Sequence, residues 1–325
     1  MINITNVPIS QKNSYPNRKI NFCGETCVEK LGKDVFVGLR KELIQETSFF
    51  REPDTLEFIK KYIQRMFTDK QEINILDGAC SKGYETYTLA MMTDNCGKKI
   101  NITGFDIGNN IIKEAKKGIF IIKEIAGDPD NCVLLDMHTA ANNDTYLAFP
   151  TKAPLSEKEI EYKNLFNKFF TEIPYKKPKQ TFWEWMVELA LKKYNPHIAI
   201  KSYKINPDKA DKCKFIQGDI MKLDQLVQPH KTDVLLFRNA LYHLTTAEND
   251  VSYRAPLPQK RLIPTINQFV VQVDKAIGKN GLFVLGSHKS DHSEEVASIL
   301  YKNLKERGFE PVYYETKVPA IWKRE

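Results

Sequence analysis

Asp77, Gly83, Glu85 and Asp106 have the types and spacing of a site that could hold a nucleoside. Asp77 closes an apolar run, Ile73-Asn-Ile-Leu-Asp77, that reads as a buried strand. The small-residue stretch from Gly78 through Ala79 to Gly83 reads as a turn, and a helix is predicted over Tyr87 to Met92. A second apolar run, Ile102-Thr-Gly-Phe-Asp106, ends in an acid 23 residues after Gly83. Nucleotide-binding α/β units place a carboxylate against ribose hydroxyls at a step of about 20 residues. Small residues let the backbone approach the ligand at a helix N-terminus, and the acid accepts two hydroxyl donors.

Gly78 and Gly83 are spaced as in a P-loop, yet Tyr84-Glu85 follow where a P-loop has Lys-Ser/Thr. No cation is thereby placed to hold phosphates, and Glu85 would repel them. The dinucleotide pattern G-x-G-x-x-G is absent as well. A carboxylate at the turn suits a ligand without phosphates and with positive charge. S-adenosylmethionine, with an adenosine, an ammonium and a sulfonium, fits that description. An ordinary strand–turn–helix with surface acids is the plain alternative; two half-motifs in order and in step favour a cofactor site.

These residues need elements to position them. Residues 1–30, rich in Asn, Ser, Pro and Lys, read as a disordered tail. Leu31, Val35, Leu39 and Leu43 recur four apart, and Leu56, Ile59, Ile63 and Met66 form a second stripe after Pro53, so 31–68 reads as a helical N-terminal segment. Residues 69–325 read as one α/β domain with an insertion over 125–211. Within it, Asn109 to Lys117 reads as a short helix stopped by Gly118. The insertion is expected to be largely helical, from capping boxes at Ser156-x-x-Glu159 and Thr181-x-x-Glu184. The Phe182, Trp183, Trp185 and Met186 cluster reads as its private core. Strands are expected at Cys213 to Asp219, Asp233 to Phe237 and Gly281 to Gly286, helices at Arg261 to Ile277 and Ser293 to Arg307, and a last hairpin at Pro311–Glu315 and Val318–Trp322. The fold class is a Rossmann-like α/β sheet of seven strands whose last strand is antiparallel.

With 325 residues and 42% hydrophobic content, the chain can bury one large core or two modest ones. No apolar run approaches the ~18 residues of a membrane span, and no N-terminal signal pattern is visible. Six scattered cysteines point to reduced thiols and a cytoplasmic setting. The net charge of +7 reads as a Lys-rich solvated surface rather than a nucleic-acid site. Cys23-x3-Cys27 and His288-x3-His292 have zinc-like spacing but lie at opposite ends of the chain, so no metal is expected.

Four blocks together resemble the CheR-type chemotaxis-receptor glutamate methyltransferases, a family of class I S-adenosylmethionine enzymes. Gln45-Glu-Thr47-Ser-Phe-Phe-Arg51-Glu resembles the family's Asn-x-Thr-x-Phe-Phe-Arg signature. Asp77-Gly-Ala79-Cys-Ser-Lys-Gly83-Tyr-Glu85 resembles its cofactor loop, with the usual Ala-Gly order swapped. Phe105-Asp106-Ile, then Lys116-Lys-Gly118-Ile-Phe120, resembles its ribose-acid segment. Phe237-Arg238-Asn239-Ala-Leu-Tyr242-His243 resembles its Arg-Asn-Val-x-Ile-Tyr turn.

The resemblance implies cofactor contacts from Thr47, Arg51, Glu85, Asp106, Asp219, Ile220, Arg238 and Asn239, and Gln45, Asp77, Ala79 and Gly83 of the same blocks are expected beside them. It implies Arg51 near the transferred methyl, a protein glutamate as acceptor and a monomeric enzyme. Three departures accompany it. The residues before Gln45 are few for the family's helical N-terminal domain. The insertion reads as helical where the family has a small β-subdomain that grips receptors. The family's active-site Tyr aligns with His243, with Tyr242 displaced by one.

A glutamate carboxylate is already a nucleophile at neutral pH and requires a counter-charge, for which Arg51 is the candidate. His243 is placed to act as a base on a hydroxyl or amine, or to line the pocket with Tyr242. Two other readings stay open: a small-molecule or nucleic-acid methyltransferase with His243 as base, and a cofactor-binding regulatory module without catalysis.

Overall fold

Val234, Leu235 and Leu236 are all fully buried, as are Ile73, Ile75 and Leu76, so both strands need helices on each face. The computed structural model describes residues 49–125, 157–175, 198–246, 257–286, 294–315 and 318–325. Among these, α1 (Pro53–Met66) leads into β1 (Glu72–Gly78), α2 (Tyr84–Thr93), β2 (Lys99–Asp106) and α3 (Asn109–Lys117). After a side excursion the main sheet resumes with β6 (Cys213–Gln217), a 3-10 turn (Ile220–Gln225), β7 (Thr232–Leu236) and the short α6 (Tyr242–Thr245). It is completed by α7 (Gln259–Ala276), β8 (Ile277–Val284), α8 (Glu294–Glu306), β9 (Phe309–Glu315) and β10 (Val318–Arg324).

The seven strands lie in the order β6-β2-β1-β7-β8-β10-β9. β10 runs antiparallel to both its neighbours, and the other pairings are parallel. This is the sheet expected from the sequence. Alternate residues sort onto its two faces. Ile75, Val234, Leu236, Leu282 and Val284 pack with Leu56, Ile59 and Ile63 of α1 and with α2. Leu76, Leu235 and Phe283 pack with Phe269, Val270 and Val273 of α7 and with Val296, Leu300 and Leu304 of α8. The chain leaves β1 toward β2 on one side and β7 toward β8 on the other. Their carboxyl ends therefore flank the topological switch point, where ligands of open α/β sheets bind.

The excursion adds strands to the insertion, which is expected from the sequence to be largely helical; beyond Ile125, only 157–175 and 198–211 of it are described. Helix α4 (Glu157–Phe169) is present after the first capping box, but the described residues also build an antiparallel sheet. Its order is β3 (Ile119–Ile125), β5 (Ile198–Ile205), β4 (Phe170–Ile173). The short α5 (Pro207–Ala210) then returns the chain to β6. Ile198-Ala-Ile-Lys-Ser-Tyr-Lys-Ile carries the near-alternation of a half-covered strand, a weak signal beside two capping boxes. Gly118 is the pivot. It caps α3 in the left-handed region (φ 58°), and a Cβ there would lie 2.3 Å from Ile205 Cγ2. The tail, the helix expected from Leu31, the second capping box, its aromatic cluster, and the Cys23/Cys27 and His288/His292 pairs lie outside the described residues.

Candidate functional site

β1 ends against its neighbours so closely that a Cβ at Gly78 would stand 2.8 Å from Phe105 Cζ. The turn that follows is left-handed at Ala79 (φ 56°), Ser81 (φ 51°) and Gly83 (φ 88°). Such residues other than glycine carry about 1–3 kcal/mol of strain each and cluster at ligand sites. Cross-links hold the loop in place. Cys80 N–H donates to Phe105 O (3.1 Å), and Gly83 N–H donates to Cys80 O (2.8 Å).

Asp106, at the end of β2, is oriented by this loop. Ser81 N–H donates to its Oδ2 (3.0 Å) and Gly108 N–H to its Oδ1 (3.0 Å). A carboxylate oxygen can accept more than one hydrogen bond, and a pair of ribose hydroxyls would need two such acceptors. Gly218 N–H donates to Asp106 O (2.9 Å), bringing the end of β6 alongside. Asp219 there accepts from Met221 N–H (2.9 Å) and caps the 3-10 turn, and Ile220 is buried. Asp219 thus has a visible structural task beside the contact expected of it.

A buried charge cluster joins the ends of β1 and β7. The Arg238 side chain is 1% exposed. Its Nη2 donates to Glu52 Oε2 (2.8 Å) and Arg51 O (3.0 Å), and its Nη1 lies 2.9 Å from Glu85 Oε2. Beneath them Asp77 is buried and accepts from the Thr86 hydroxyl. Burial pushes the Asp77 carboxyl well up, and the Glu85 charge raises it further. Burial also raises Glu85, while Arg238 pulls it back down. Glu52 and Glu85 therefore share one buried guanidinium, with Asp77 beneath them.

The residues around the Arg51 block are pinned by aromatic contacts. The Phe49 ring meets Tyr84 (4.9 Å) and Phe120 (4.9 Å) edge-on, with Phe166 and Phe170 just beyond. Phe50 stacks on Tyr162 at 4.8 Å, and its N–H donates to Thr88 Oγ1 (3.2 Å). Tyr242 and His243 stand on α6, ring centroids 4.0 Å apart. Asn239, left-handed at φ 54°, precedes them. Its Oδ1 is buried with no hydrogen-bond partner among the described residues, as is Glu52 Oε1.

The structure thus gathers Arg51, Asp77, Glu85, Arg238 and Asn239 at the ends of β1 and β7, and Ala79, Gly83, Asp106, Asp219 and Ile220 at the ends of β1, β2 and β6. Gln45 and Thr47 fall outside the described residues. The sequence reading missed Glu52, Thr86, Thr88 and the Ser81 amide. Only Glu52, beside a singled-out Arg51, carried a signal; the others depend on turn geometry.

Comparison with known proteins bears on the loop and the block before it. Residues 45–152 match the family described as CheR methyltransferase, SAM binding domain. The matched stretch is about a third of the chain. A chemotaxis protein methyltransferase of Campylobacter jejuni is 38% identical over 76 residues, 23% of this chain and 28% of that protein. One from Borreliella burgdorferi is 34% identical over 86 residues, 23% of this chain and 30% of that protein. The chain spans less than a third of the length of the curated relatives it matches. Among solved structures, the DszA carbon methyltransferase aligns with TM-score 0.38 and 10% identity, over 83% of this chain and 52% of that one. A methyltransferase described as putative and S-adenosyl-L-methionine-dependent, from Methanococcus maripaludis, gives 0.36 and 10%, over 84% of each.

The residues at this site fit S-adenosylmethionine. Asp106 offers two fixed oxygens, and Glu52 Oε1 and Asn239 Oδ1 are among the buried side-chain atoms without a hydrogen-bond partner in the described residues, so the site holds acceptors for a ligand rich in donors. Asp106→Ala is expected to weaken S-adenosylhomocysteine binding by about 2–3 kcal/mol, thirtyfold or more, since hydroxyls lose a charged acceptor. A calorimetric titration showing less than threefold loss would remove Asp106 from the site.

Proposed function

We propose that this protein is an S-adenosylmethionine-dependent methyltransferase that esterifies a glutamate side chain of a protein substrate, in the manner of the chemoreceptor-methylating enzymes. The observation that carries the reading is the Phe49-Phe50-Arg51-Glu52 block. The Phe49 ring and the Phe50 amide are seated on the cofactor-loop helix and the backbone at Arg51 is tied to Arg238, which supports a role for this motif beside the cofactor. The antiparallel β3-β5-β4 sheet adds support, since the family it resembles also has a small β-subdomain.

The cofactor supplies a methyl group on a sulfonium, an electrophile that reacts by in-line displacement. Asp106 holds the ribose and Glu85 takes the ammonium. Arg51 draws the substrate carboxylate out of water, and Phe49 with Phe50 keeps water from the reacting atoms. Asp77, Ala79 and Gly83 shape the loop; Gln45, Thr47, Asp219, Ile220 and Asn239 complete the cofactor's surroundings, and Arg238 sets the charge of Glu85. The segment before Pro53 acts as a lid. The enzyme works as a monomer in the cytoplasm. Free Cys80, Cys96 and Cys213 agree with reducing surroundings, and among the described residues no helix is long and apolar enough to cross a membrane.

Labelled-methyl transfer to protein substrate tests the reading, because methyl esters hydrolyse in mild base and N-methyl products do not. Base-stable label would overturn it. The half-buried His243 beside the switch point favours one other reading, a hydroxyl or amine acceptor with His243 as base. With a carboxylate acceptor, His243→Tyr keeps activity within about tenfold, roughly 1.4 kcal/mol of barrier. A loss of about a hundredfold, with cofactor still bound and the histidine limb gone from the pH–rate profile, would favour the base.

A further inference from the structure

Glu52 stands at the N-cap position of α1, yet its side chain makes no capping hydrogen bond. It turns onto Arg238 instead, with Oε2 2.8 Å from Nη2. Its backbone is left-handed (φ 49°), a conformation that a residue other than glycine holds only when its surroundings impose it. Gly286, left-handed at φ 79°, lies beside the contact, and a Cβ there would stand 3.4 Å from Glu52 Oε2, ordinary van der Waals distance. An unused cap and a strained backbone converge on one contact.

We infer that Glu52 is a positioning residue for the cationic end of the cofactor: it holds one arm of Arg238, so that Glu85 is not fully neutralised and remains an acceptor for an ammonium group. This rests on the cofactor reading above. Glu85 faces Arg238 from the turn after β7, Glu52 and Arg51 from the segment before α1, and Asp77 from β1. Arg238 is the strongest charge acting on it, and repulsion from Glu52 exceeds attraction from Arg51. Without Glu52 the guanidinium would serve Glu85 alone, and an incoming ammonium would meet a closed ion pair rather than a shared one. The buried Oε1 of Glu52 leaves a second acceptor beside the first.

Glu52→Gln keeps the shape and removes the charge. Calorimetry with two probes reads the effect: S-adenosylhomocysteine, which has the amino-acid end, and 5′-methylthioadenosine, which lacks it. In the variant, affinity for the first is expected to fall at least tenfold at pH 7, and for the second less than twofold. The pH profile gives an independent readout. Ammonium binding is lost as Glu85 takes up a proton, and removing the Glu52 charge eases ionisation of Glu85. The acid limb for S-adenosylhomocysteine therefore moves to lower pH. Glu52→Asp, which keeps the charge, restores the difference between the probes. Equal weakening of both probes with an unmoved limb overturns the inference and leaves the cofactor reading standing. A wild-type protein that binds neither probe overturns both.

Discussion

Arg238→Met is expected to destabilise the protein by about 3–5 kcal/mol at neutral pH, because it leaves Glu52 and Glu85 as buried carboxylates without their cation. The methionine fills much of the same volume, so the loss reports charge more than packing. Equilibrium unfolding in urea measures it. Adding Glu52→Gln and Glu85→Gln to the variant should recover most of the loss, since no charge then remains to be solvated. The pH dependence has a definite sign. In Arg238→Met the Glu85 carboxyl, raised by burial, loses the guanidinium that pulls it down, so it lies above its unfolded value of about 4.3. The penalty is absent below that value and grows as pH rises toward the folded pKa, so the variant approaches wild type in acid. A loss below 1 kcal/mol, or one indifferent to the glutamine changes, would mean that the cluster is not a closed electrostatic unit.

The cluster also marks where the sequence stopped being readable. The strand–turn–helix at Asp77 to Glu85, Asp106 at its step and the seven-stranded sheet were all visible in local patterns, since buried strands and small-residue turns carry their own periodicity. Arg238 was legible as a site residue only by resemblance, and its partners were not. Glu52 and Glu85 converge on it from 186 and 153 positions away, and nothing local encodes that convergence. The β3-β5-β4 sheet failed for a different reason. Its strands are far apart in the chain, and β4 has only four residues, too short for alternation to outweigh a capping box.

Phe49→Ala is expected to cost about 3–5 kcal/mol, the range for emptying a large aromatic site. Phe49 is 4% exposed, and its ring is edge-on to Tyr84, Phe120, Phe166 and Phe170, which come from α2, β3, α4 and β4. One side chain therefore joins the cofactor-loop helix to the smaller sheet, and the cavity left by alanine has walls that belong to two sheets' worth of structure and cannot collapse together. Phe49→Leu, which restores part of the volume, should cost less than half as much. The position also lies two residues before Arg51 and three before Glu52. Loosening it should weaken S-adenosylhomocysteine binding in the leucine variant even where that variant remains folded, because the Arg238 contacts depend on the same segment. Urea unfolding and calorimetry on the two variants separate these effects. A destabilisation under 1 kcal/mol for alanine would show that the ring packs loosely; unchanged binding in a measurably destabilised leucine variant would show that the Phe49 anchor and the Arg238 contacts act independently.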